Sequence, residues 1–237
     1  MMKRICHMSS SHSWNDIRIF IKECQTLADA GYEVYLVAEG IEREENGVHV
    51  IGCGEKPESR KQRMIMFAKK VYEKALALDC EIYHIHDPEL LPYGIKLKNN
   101  GKKVIFDSHE DVPGQILDKE WIPGALRKII AFCYRQYESY CVKRFDAVVA
   151  ATPHIADKFR GRCRKVIIVN NYPRTDDIKF HGTPFADRDA IICYAGGISE
   201  MRGEKIMVKA MKDVSGTLIL AGSHDKVITN EEKKIKL

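Results

Sequence analysis

The sequence predicts an α/β protein in which a parallel β-sheet is covered by helices on both faces. Three observations predict this fold class. Short runs rich in β-branched residues alternate with amphipathic helical stretches along the chain. Polar clusters follow several of these runs, at the positions where parallel sheets bind ligands. At 237 residues, the chain is also long enough to bury a substantial core.

The composition argues against several other classes of protein. Hydrophobic residues make up 45% and charged residues 30% of the chain, near the values of ordinary soluble proteins. Apolar runs fall well short of the roughly 20 residues of a membrane span, and the sequence turns polar at Ser9, too early for a signal peptide. The eight cysteines form no Cys-x-x-Cys pair, so no zinc knuckle is indicated. We therefore expect a cytoplasmic protein, whose formal charge of +5 favours anionic partners.

The first elements form a repeating strand–helix–strand unit. Strand 3–8 precedes a helix that Gly31 ends. One face of this helix carries apolar residues at three-and-four spacing, namely Ile17, Phe20, Ile21, Cys24, Leu27 and Ala28. Strands 33–38 and 48–51 follow. The next helix carries a second apolar face, formed by Met64, Phe67, Ala68, Val71, Ala75 and Leu78.

The same alternation continues to residue 170. Helices are predicted from Pro88, from Gly124 to Arg144, and from Thr152, where threonine can cap the helix and Pro153 suits its first turn. The strands between them are 82–85, 103–106, 147–150 and 166–169. Residues 1–170 thus form a doubly wound, Rossmann-like domain.

A second domain is expected to follow a linker. Residues 171–188 are polar and contain Pro173 and Pro184, which is typical of a linker. From residue 189 a new unit begins, with strand 190–194, a glycine turn, helix 205–211 and strand 217–221. Because one βαβ unit cannot complete a sheet and the chain turns polar after Gly222, we expect residues 189–237 to be the start of a truncated second domain.

Four polar clusters lie where parallel sheets bind ligands, beyond the ends of strands. The first follows the first strand and contains His12, Asp16 and Arg18. Its hydroxyls, amides and helix N-terminus suit a sugar or a phosphate. Helix capping by Asn15 or Asp16 explains the same residues without a ligand.

The second cluster, at the end of strand 82–85, contains His84, His86 and Asp87. Alternation along a strand places the two histidines on one face, which invites a metal ion. A metal site needs further ligands that the spacing does not supply, so packing and helix capping are the default and no metal ligand is assigned.

The third cluster is Asp107-Ser108-His109-Glu110-Asp111, where carboxylates bracket one histidine. His109 can bond a substrate hydroxyl or transfer a proton, although such a cluster can also merely cap a helix. The fourth cluster contains Gly196, Gly197, Arg202 and Gly203. Its glycines let the backbone approach a phosphate, and its arginine can stabilise a diphosphate leaving group.

Together, these motifs resemble glycosyltransferase family 4, from the first strand to about Gly222. The stretches that carry the resemblance are His12-x-x-x-Asp16-x-Arg18, Ala30-Gly31-Tyr32, His86-Asp87-Pro88-Glu89, Asp107-Ser108-His109-Glu110-Asp111, Asn170-Asn171-Tyr172-Pro173, and Tyr194-Ala195-Gly196-Gly197 with Arg202-Gly203.

The resemblance implies a GT-B fold, with two Rossmann-like domains. It implies transfer of a sugar, with retained anomeric configuration, from a nucleotide-sugar donor to a glycan or lipid-linked acceptor, in surface polysaccharide synthesis. It implies no cofactor, no metal and no nucleic-acid partner. His109 is similar to the active-site histidine of the family, and the other residues on the acceptor side are His12, Asp16, Arg18, Asp87, Glu110 and Asp111. The donor diphosphate would be bound by Gly196, Gly197, Arg202 and Gly203.

Two departures from the family pattern concern the donor. Gly197 stands where the family has a basic residue. The Glu-x7-Glu motif that holds the donor sugar and ribose has no counterpart after Gly203, and Glu73 with Glu81 matches its spacing in the first domain by chance. We therefore expect this chain to have little or no transferase activity.

Three other functions stay open from the sequence. One is a nucleotide-sugar 2-epimerase of the same fold, and another is a fragment that binds only the acceptor. The third is a metal-dependent hydrolase built on His84, His86, Asp87 and His109. The helix near 126–145 mixes basic and apolar residues, which predicts a peripheral position on the inner face of an anionic membrane, although an ordinary solvated helix explains it equally.

Overall fold

The computed structural model describes residues 3–119, 121–175 and 182–223. The chain forms two compact units, with the boundary between Tyr172 and Pro173. Residues 176–181 of the predicted linker and the polar tail from residue 224 lie outside the described residues. Within the described part of the chain, no helix is both long and apolar enough to cross a membrane.

The first unit is built on an eight-stranded sheet with the strand order β3-β4-β2-β1-β5-β6-β7-β8. Its strands are β1 (Arg4–Ser13), β2 (Glu33–Glu39), β3 (Arg43–Glu45), β4 (Val48–Gly52), β5 (Ile82–Ile85), β6 (Lys103–Ser108), β7 (Ala147–Ala150) and β8 (Val166–Ile168). Neighbouring strands are parallel, except that β3 pairs antiparallel with β4. The predicted parallel α/β sheet is therefore confirmed.

Among the described residues, six helices connect these strands. They are α1 (a π-helix at Ile17–Cys24 that continues as an α-helix at Gln25–Asp29), α2 (Arg60–Gln62, a π-helix at Arg63–Phe67, and Ala68–Ala77), α3 (a 3-10 turn at Pro88–Leu90, then Leu91–Asn99), α4 (Val112–Leu117), α5 (Gly124–Val142) and α6 (Pro153–Phe159). Gly31 has a φ of +84°, a conformation that favours glycine, and it follows α1 as expected.

Helices cover both faces of the sheet. Along β2, Val34 and Leu36 belong to one buried cluster, which packs against α1. Tyr35 and Val37 contribute to the other cluster, which contains residues of α2, α3 and α5. Alternate residues of a strand point to opposite faces, so both faces of the sheet are buried, as in doubly wound proteins.

The structure differs from the sequence prediction mainly at the ends of elements. Strand β1 extends to Ser13 and β6 to Ser108, so part of the first and third polar clusters lies in strands. Strand β3 and helix α4 were not predicted, because each is short. Ile17 and Met64 were predicted to be buried but are exposed, since both lie in π-helical segments whose spacing differs from that of an α-helix.

The second unit contains two parallel strands, β9 (Ile191–Ala195) and β10 (Thr217–Ala221). Helix α7 (Glu204–Ala210) connects them, preceded by a 3-10 turn at Glu200–Arg202. Gly203 has a φ of +82° and joins the turn to the helix. These elements agree with the predicted strand–turn–helix–strand order.

Candidate functional site

The strand order places a crevice at one edge of the first unit. From β1 the chain adds β2 and β4 on one side, and then β5, β6, β7 and β8 on the other. Parallel sheets bind ligands at such a switch point, beyond the carboxyl ends of the strands. A cavity of about 670 Å³ lies there, lined by His12, Asp16, Ile17, Arg18, His109, Ala151, Thr152, Pro153, Asn170, Asn171 and Tyr172.

A buried ion pair lies at the centre of this edge. Arg18, at the start of α1, donates from Nε to Asp107 Oδ2 at 2.8 Å and from Nη2 to Asp107 Oδ1 at 2.7 Å. Its Nη1 donates to the backbone oxygen of Val169, after β8, at 2.8 Å. Both side chains are nearly or fully inaccessible to solvent. The pair therefore fixes α1 to β6 and to the end of β8.

Asp107 also organises two histidines. Nε2 of His109 and Nδ1 of His86 lie 2.8 Å and 3.2 Å from its Oδ2. Burial alone would raise the pKa of Asp107, but hydrogen bonds from His109, His86 and Arg18 outweigh burial and hold the pKa well below its usual value. An ionised carboxylate only accepts hydrogen bonds, so both histidines donate to it. The Nδ1 atom of His109 is consequently the proton acceptor of its ring.

The end of strand β1 wraps around a second buried carboxylate. The pairing of β1 with β2 shifts register between Met8 and Ser13. Asp87 Oδ2 accepts hydrogen bonds from Ser9 Oγ and from the backbone amides of Ser10 and Ser11, at 2.7 to 3.1 Å. This irregular stretch thereby closes against the end of β5. Such bulges re-aim side chains beside binding sites.

His12 is positioned by the same carboxylate. Its Nδ1 lies 3.2 Å from Asp87 Oδ1. This hydrogen bond raises the pKa of His12 above its usual value, although partial burial opposes the shift. Burial alone would raise the pKa of Asp87, but the bond to His12 and those from the β1 backbone outweigh burial and lower it. Asp87 thus holds in place His12, which is part of the cavity lining.

Beneath the cavity, three histidines surround one glutamate. His7 lies in β1, His84 and His86 lie at the end of β5, and Glu23 lies in the π-helical part of α1. Glu23 Oε2 is 3.7 to 4.0 Å from a ring nitrogen of each histidine. Burial lowers the pKa of His84 to about 3 and raises that of Glu23 to about 9. The histidines are therefore neutral at pH 7.

The predicted residues of the first cluster meet as expected, but with different roles. Asp16 lines the cavity and also caps α1, accepting from the amides of Arg18 and Ile19 at 2.8 and 2.9 Å. The capping role given as an alternative for Asp16 is confirmed. Arg18 has its guanidinium fully engaged by protein atoms.

Glu110 and Asp111 lie apart from the cavity of His12 and His109. They line a separate cavity of about 350 Å³ beside α4 and α6. There, Asp111 forms an ion pair with Lys158, and Glu110 accepts from Gln115 at 2.6 Å. The sequence places them next to His109, but the chain turns away into α4 immediately after it.

The glycine turn of the second unit forms as predicted between β9 and its helix. Tyr194 Oη donates to the backbone oxygen of Gly197 at 3.0 Å. A Cβ atom at residue 197 would lie 3.9 Å from Arg202 Nε, so the exposed Arg202 side chain reaches the turn. The amides of Gly196 and Ile198 donate to the backbone oxygens of Ala221 and Ser223, so the donor that this turn offers to a phosphate is chiefly the guanidinium of Arg202.

Sequence reasoning missed several residues of the site. Thr152 and Asn170 line the cavity because β7 and β8 end at the same edge as β1. Both positions follow predicted strands, so the carboxyl-end rule could have found them. His7 was missed because a strand histidine carries no motif of its own. Glu23 belongs to the stretch after Arg18 that resembles the family, but it was given no role.

Comparison with known protein families identifies the family of this chain. The family model described as Glycosyltransferase Family 4 matches residues 19–171, more than half of the chain. The chain belongs to glycosyltransferase family 4. A search of curated protein sequences found no significant match.

Solved glycosyltransferase structures share the fold. Sucrose-phosphate synthase from Thermosynechococcus elongatus superimposes with a TM-score of 0.65 at 16% identity, over 98% of this chain and 66% of that structure. The lipopolysaccharide outer core galactosyltransferase WaaB gives 0.51 at 12% identity, over 93% and 60%. UGT2 of Phytolacca americana gives 0.53 at 7% identity, over 99% and 68%. The predicted GT-B fold class is confirmed, and this chain spans about two thirds of the length of these structures.

Proposed function

We propose that this family member is a retaining glycosyltransferase. It would transfer a sugar from a nucleotide-diphosphate donor to a glycan or lipid-linked acceptor in surface polysaccharide synthesis, with no metal ion or cofactor in the transfer step. The observation that carries the proposal is the cavity at the sheet edge, where His109 is held by the buried Asp107. Membership of the family supports it.

In this proposal, the cavity of the first unit binds the acceptor side of the reaction. His109 donates its Nε2 proton to Asp107, so its Nδ1 can accept a hydrogen bond from a sugar hydroxyl. Arg18 balances the charge of Asp107, and the pair holds the imidazole in one orientation. His12, Asn170 and Thr152 add polar groups along the cavity lining.

The glycine turn of the second unit is proposed to bind the donor diphosphate. Gly196 and Gly197 leave room for the phosphates to approach the backbone, and Arg202 adds a permanent positive charge. In the transition state, negative charge develops on the departing diphosphate. Hydrogen-bond donors and cationic side chains placed beside it stabilise that charge.

Donor binding tests this proposal directly. The chain is titrated by calorimetry with uridine, guanosine and adenosine diphosphate sugars, and we expect one nucleotide to bind. The Arg202→Ala variant should bind it about 10- to 150-fold more weakly, since a charge-assisted hydrogen bond contributes about 1.5–3 kcal/mol. Lys212→Ala, an exposed cation of the same unit, is the matched control.

Products distinguish the remaining alternatives. Sugar transfer to lipid-linked and glycan acceptors is assayed with this chain and with the longest protein that contains it. We expect a product that retains the anomeric configuration. Interconversion of the free nucleotide sugar would favour a 2-epimerase, and neither donor binding nor a product in any form would refute the proposal.

We also propose that the protein is cytoplasmic and that helix α5 lies on an anionic membrane at its inner face. One face of α5 exposes apolar side chains at helical spacing, namely Leu126, Ile129, Ile130, Tyr137 and Tyr140. The one acidic residue of α5, Glu138, is buried and paired with Arg162. Its exposed charges include Lys128 and Arg135. Apolar and basic groups together suit the headgroup region of an anionic bilayer.

Vesicle binding tests this orientation. The chain should bind anionic vesicles more strongly than neutral ones at low salt. Arg144→Gln, at the exposed guanidinium that lies over the ring of Tyr140, should lower the partition coefficient about fivefold, because each basic residue near an anionic surface contributes about 1 kcal/mol. Arg160→Gln makes the same change of net charge away from α5, and it should have a smaller effect. Equal partitioning onto neutral and anionic vesicles would contradict the proposal.

A further inference from the structure

The cluster of His7, Glu23, His84 and His86 is not used by the proposed reaction, and its geometry is that of a metal site. One ligand atom from each side chain can be chosen so that all four lie within 4.8 Å of one another. Three are imidazole nitrogens and one is a carboxylate oxygen. Such a set suits zinc and the neighbouring divalent transition metals.

The distances are close to those of a tetrahedral site. Metal–ligand bonds of about 2.0–2.1 Å place the ligand atoms of a tetrahedron about 3.3 Å apart. His7 Nδ1 and His86 Nε2 are 2.9 Å apart. Glu23 Oε2 lies 3.9 Å from the first of these atoms, 4.0 Å from the second and 3.7 Å from His84 Nδ1. These separations bracket the tetrahedral value, and a bound ion would draw the Glu23 oxygen closer to the three nitrogens.

The cluster also leaves polar atoms unpaired. Both carboxylate oxygens of Glu23 are buried and have no hydrogen-bond partner among the described residues. Buried polar groups are normally paired, and each exception calls for an explanation. Glu23 Oε1 does lie 3.2 Å from Arg18 Nε, but that nitrogen donates its single proton to Asp107. One buried guanidinium therefore faces two carboxylates.

We propose that His7, Glu23, His84 and His86 bind one divalent transition-metal ion, of which Zn²⁺ fits the ligand set. His86 is already oriented for this role, because its Nδ1 donates to Asp107 and its Nε2 faces the cluster. A carboxylate that fixes the ring of a ligating histidine is a recurrent feature of zinc sites. His7 then carries its proton on Nε2 and presents Nδ1 to the ion.

The ion would have a structural role. It would connect β1, β5 and the π-helical part of α1, the helix that carries Arg18. It would lie beneath the cavity and take no part in the transfer step. A hydrolase built on His84, His86, Asp87 and His109 is not favoured, because Asp87 bonds to His12 and the β1 backbone, and His109 bonds to Asp107.

Metal analysis of the chain tests this site. The protein is purified without a polyhistidine tag, stripped with a chelator, and titrated with Zn²⁺ by calorimetry. We expect one ion per chain and a rise in the midpoint of thermal unfolding, since a ligand that binds only the folded state stabilises it. Loading with Co²⁺ should give the strong visible absorption of a tetrahedral site. Absence of binding, or the weak spectrum of octahedral Co²⁺, would overturn the proposal.

Variants identify the ligands. Glu23→Gln and His84→Ala should each weaken Zn²⁺ binding by about 10-fold or more. Their matched controls are the exposed Glu73→Gln and His154→Ala, which should bind as the unchanged chain does. Circular dichroism verifies that each variant folds, and the Co²⁺ spectrum of the unchanged chain decides the question if one does not. Equal affinity in ligand and control variants would show that the ion binds elsewhere.

Discussion

Replacing Asp107 with alanine is expected to lower the free energy of unfolding by about 3–5 kcal/mol, the range for removal of one partner from a buried ion pair. The change would remove two of the three hydrogen bonds of the buried Arg18 guanidinium and leave it the backbone oxygen of Val169 and, 3.2 Å from its Nε, Glu23 Oε1. It would also remove the acceptor shared by His86 and His109.

Urea unfolding measures this effect. Both tryptophans, Trp14 and Trp121, lie in the first unit, so their fluorescence reports on the unit that contains Asp107. Asp118→Ala, in an exposed position after α4, is the control and should change stability by less than about 0.5 kcal/mol. In the double variant with Arg18→Met, part of the loss should be recovered, because no unpaired charge remains. A loss below about 1 kcal/mol for Asp107→Ala would mean that the pair is hydrated.

Replacing His109 with alanine is expected to lower turnover by about 10²- to 10⁴-fold, the usual contribution of a positioned acid–base side chain. The reason is its place at the cavity, where Asp107 leaves Nδ1 as the proton acceptor. The side chain is only partly buried, so its loss should have little effect on the fold.

The rates are compared in whichever form of the protein transfers sugar. The turnover number and the Michaelis constant are measured separately, and the fall should lie in turnover, as it does when an interaction is made only in the transition state. His154→Ala, on the exposed side of α6, is the matched control. Turnover within about twofold of the unchanged protein would remove His109 from the site.

The sheet was predictable because each strand carries its own signal. Strands β5 and β7 have the predicted bounds, since β-branched runs such as Ala147–Ala150 stand between helices with clear caps. The position of His109 at the cavity followed from the rule that ligands bind beyond the ends of parallel strands. Local pattern and a rule of topology were sufficient for these features.

The interior of the site was not predictable, because it depends on contacts between distant segments. Arg18 and Asp107 lie 89 positions apart, and no local sequence pattern predicts that they form a contact. Glu23 was missed for a local reason. In an α-helix, residues five apart lie on different faces, but the i→i+5 bonding of the π-helix brings Glu23 beside Arg18. No periodicity of apolar residues signals such a segment.

The central position of β1 governs how the chain acquires its cavity during folding. Its residues pair with β2, about thirty positions along the chain, and with β5, where Ile5 aligns with Ile82. Loops of that length must close before either carboxylate of the site meets its partners, and such long-range pairing slows folding. A nascent chain that has emerged only as far as α2 therefore contains β1 but not yet Asp87 or Asp107. His7, the buried histidine of β1, can become buried only after β5 and β6 have been synthesised.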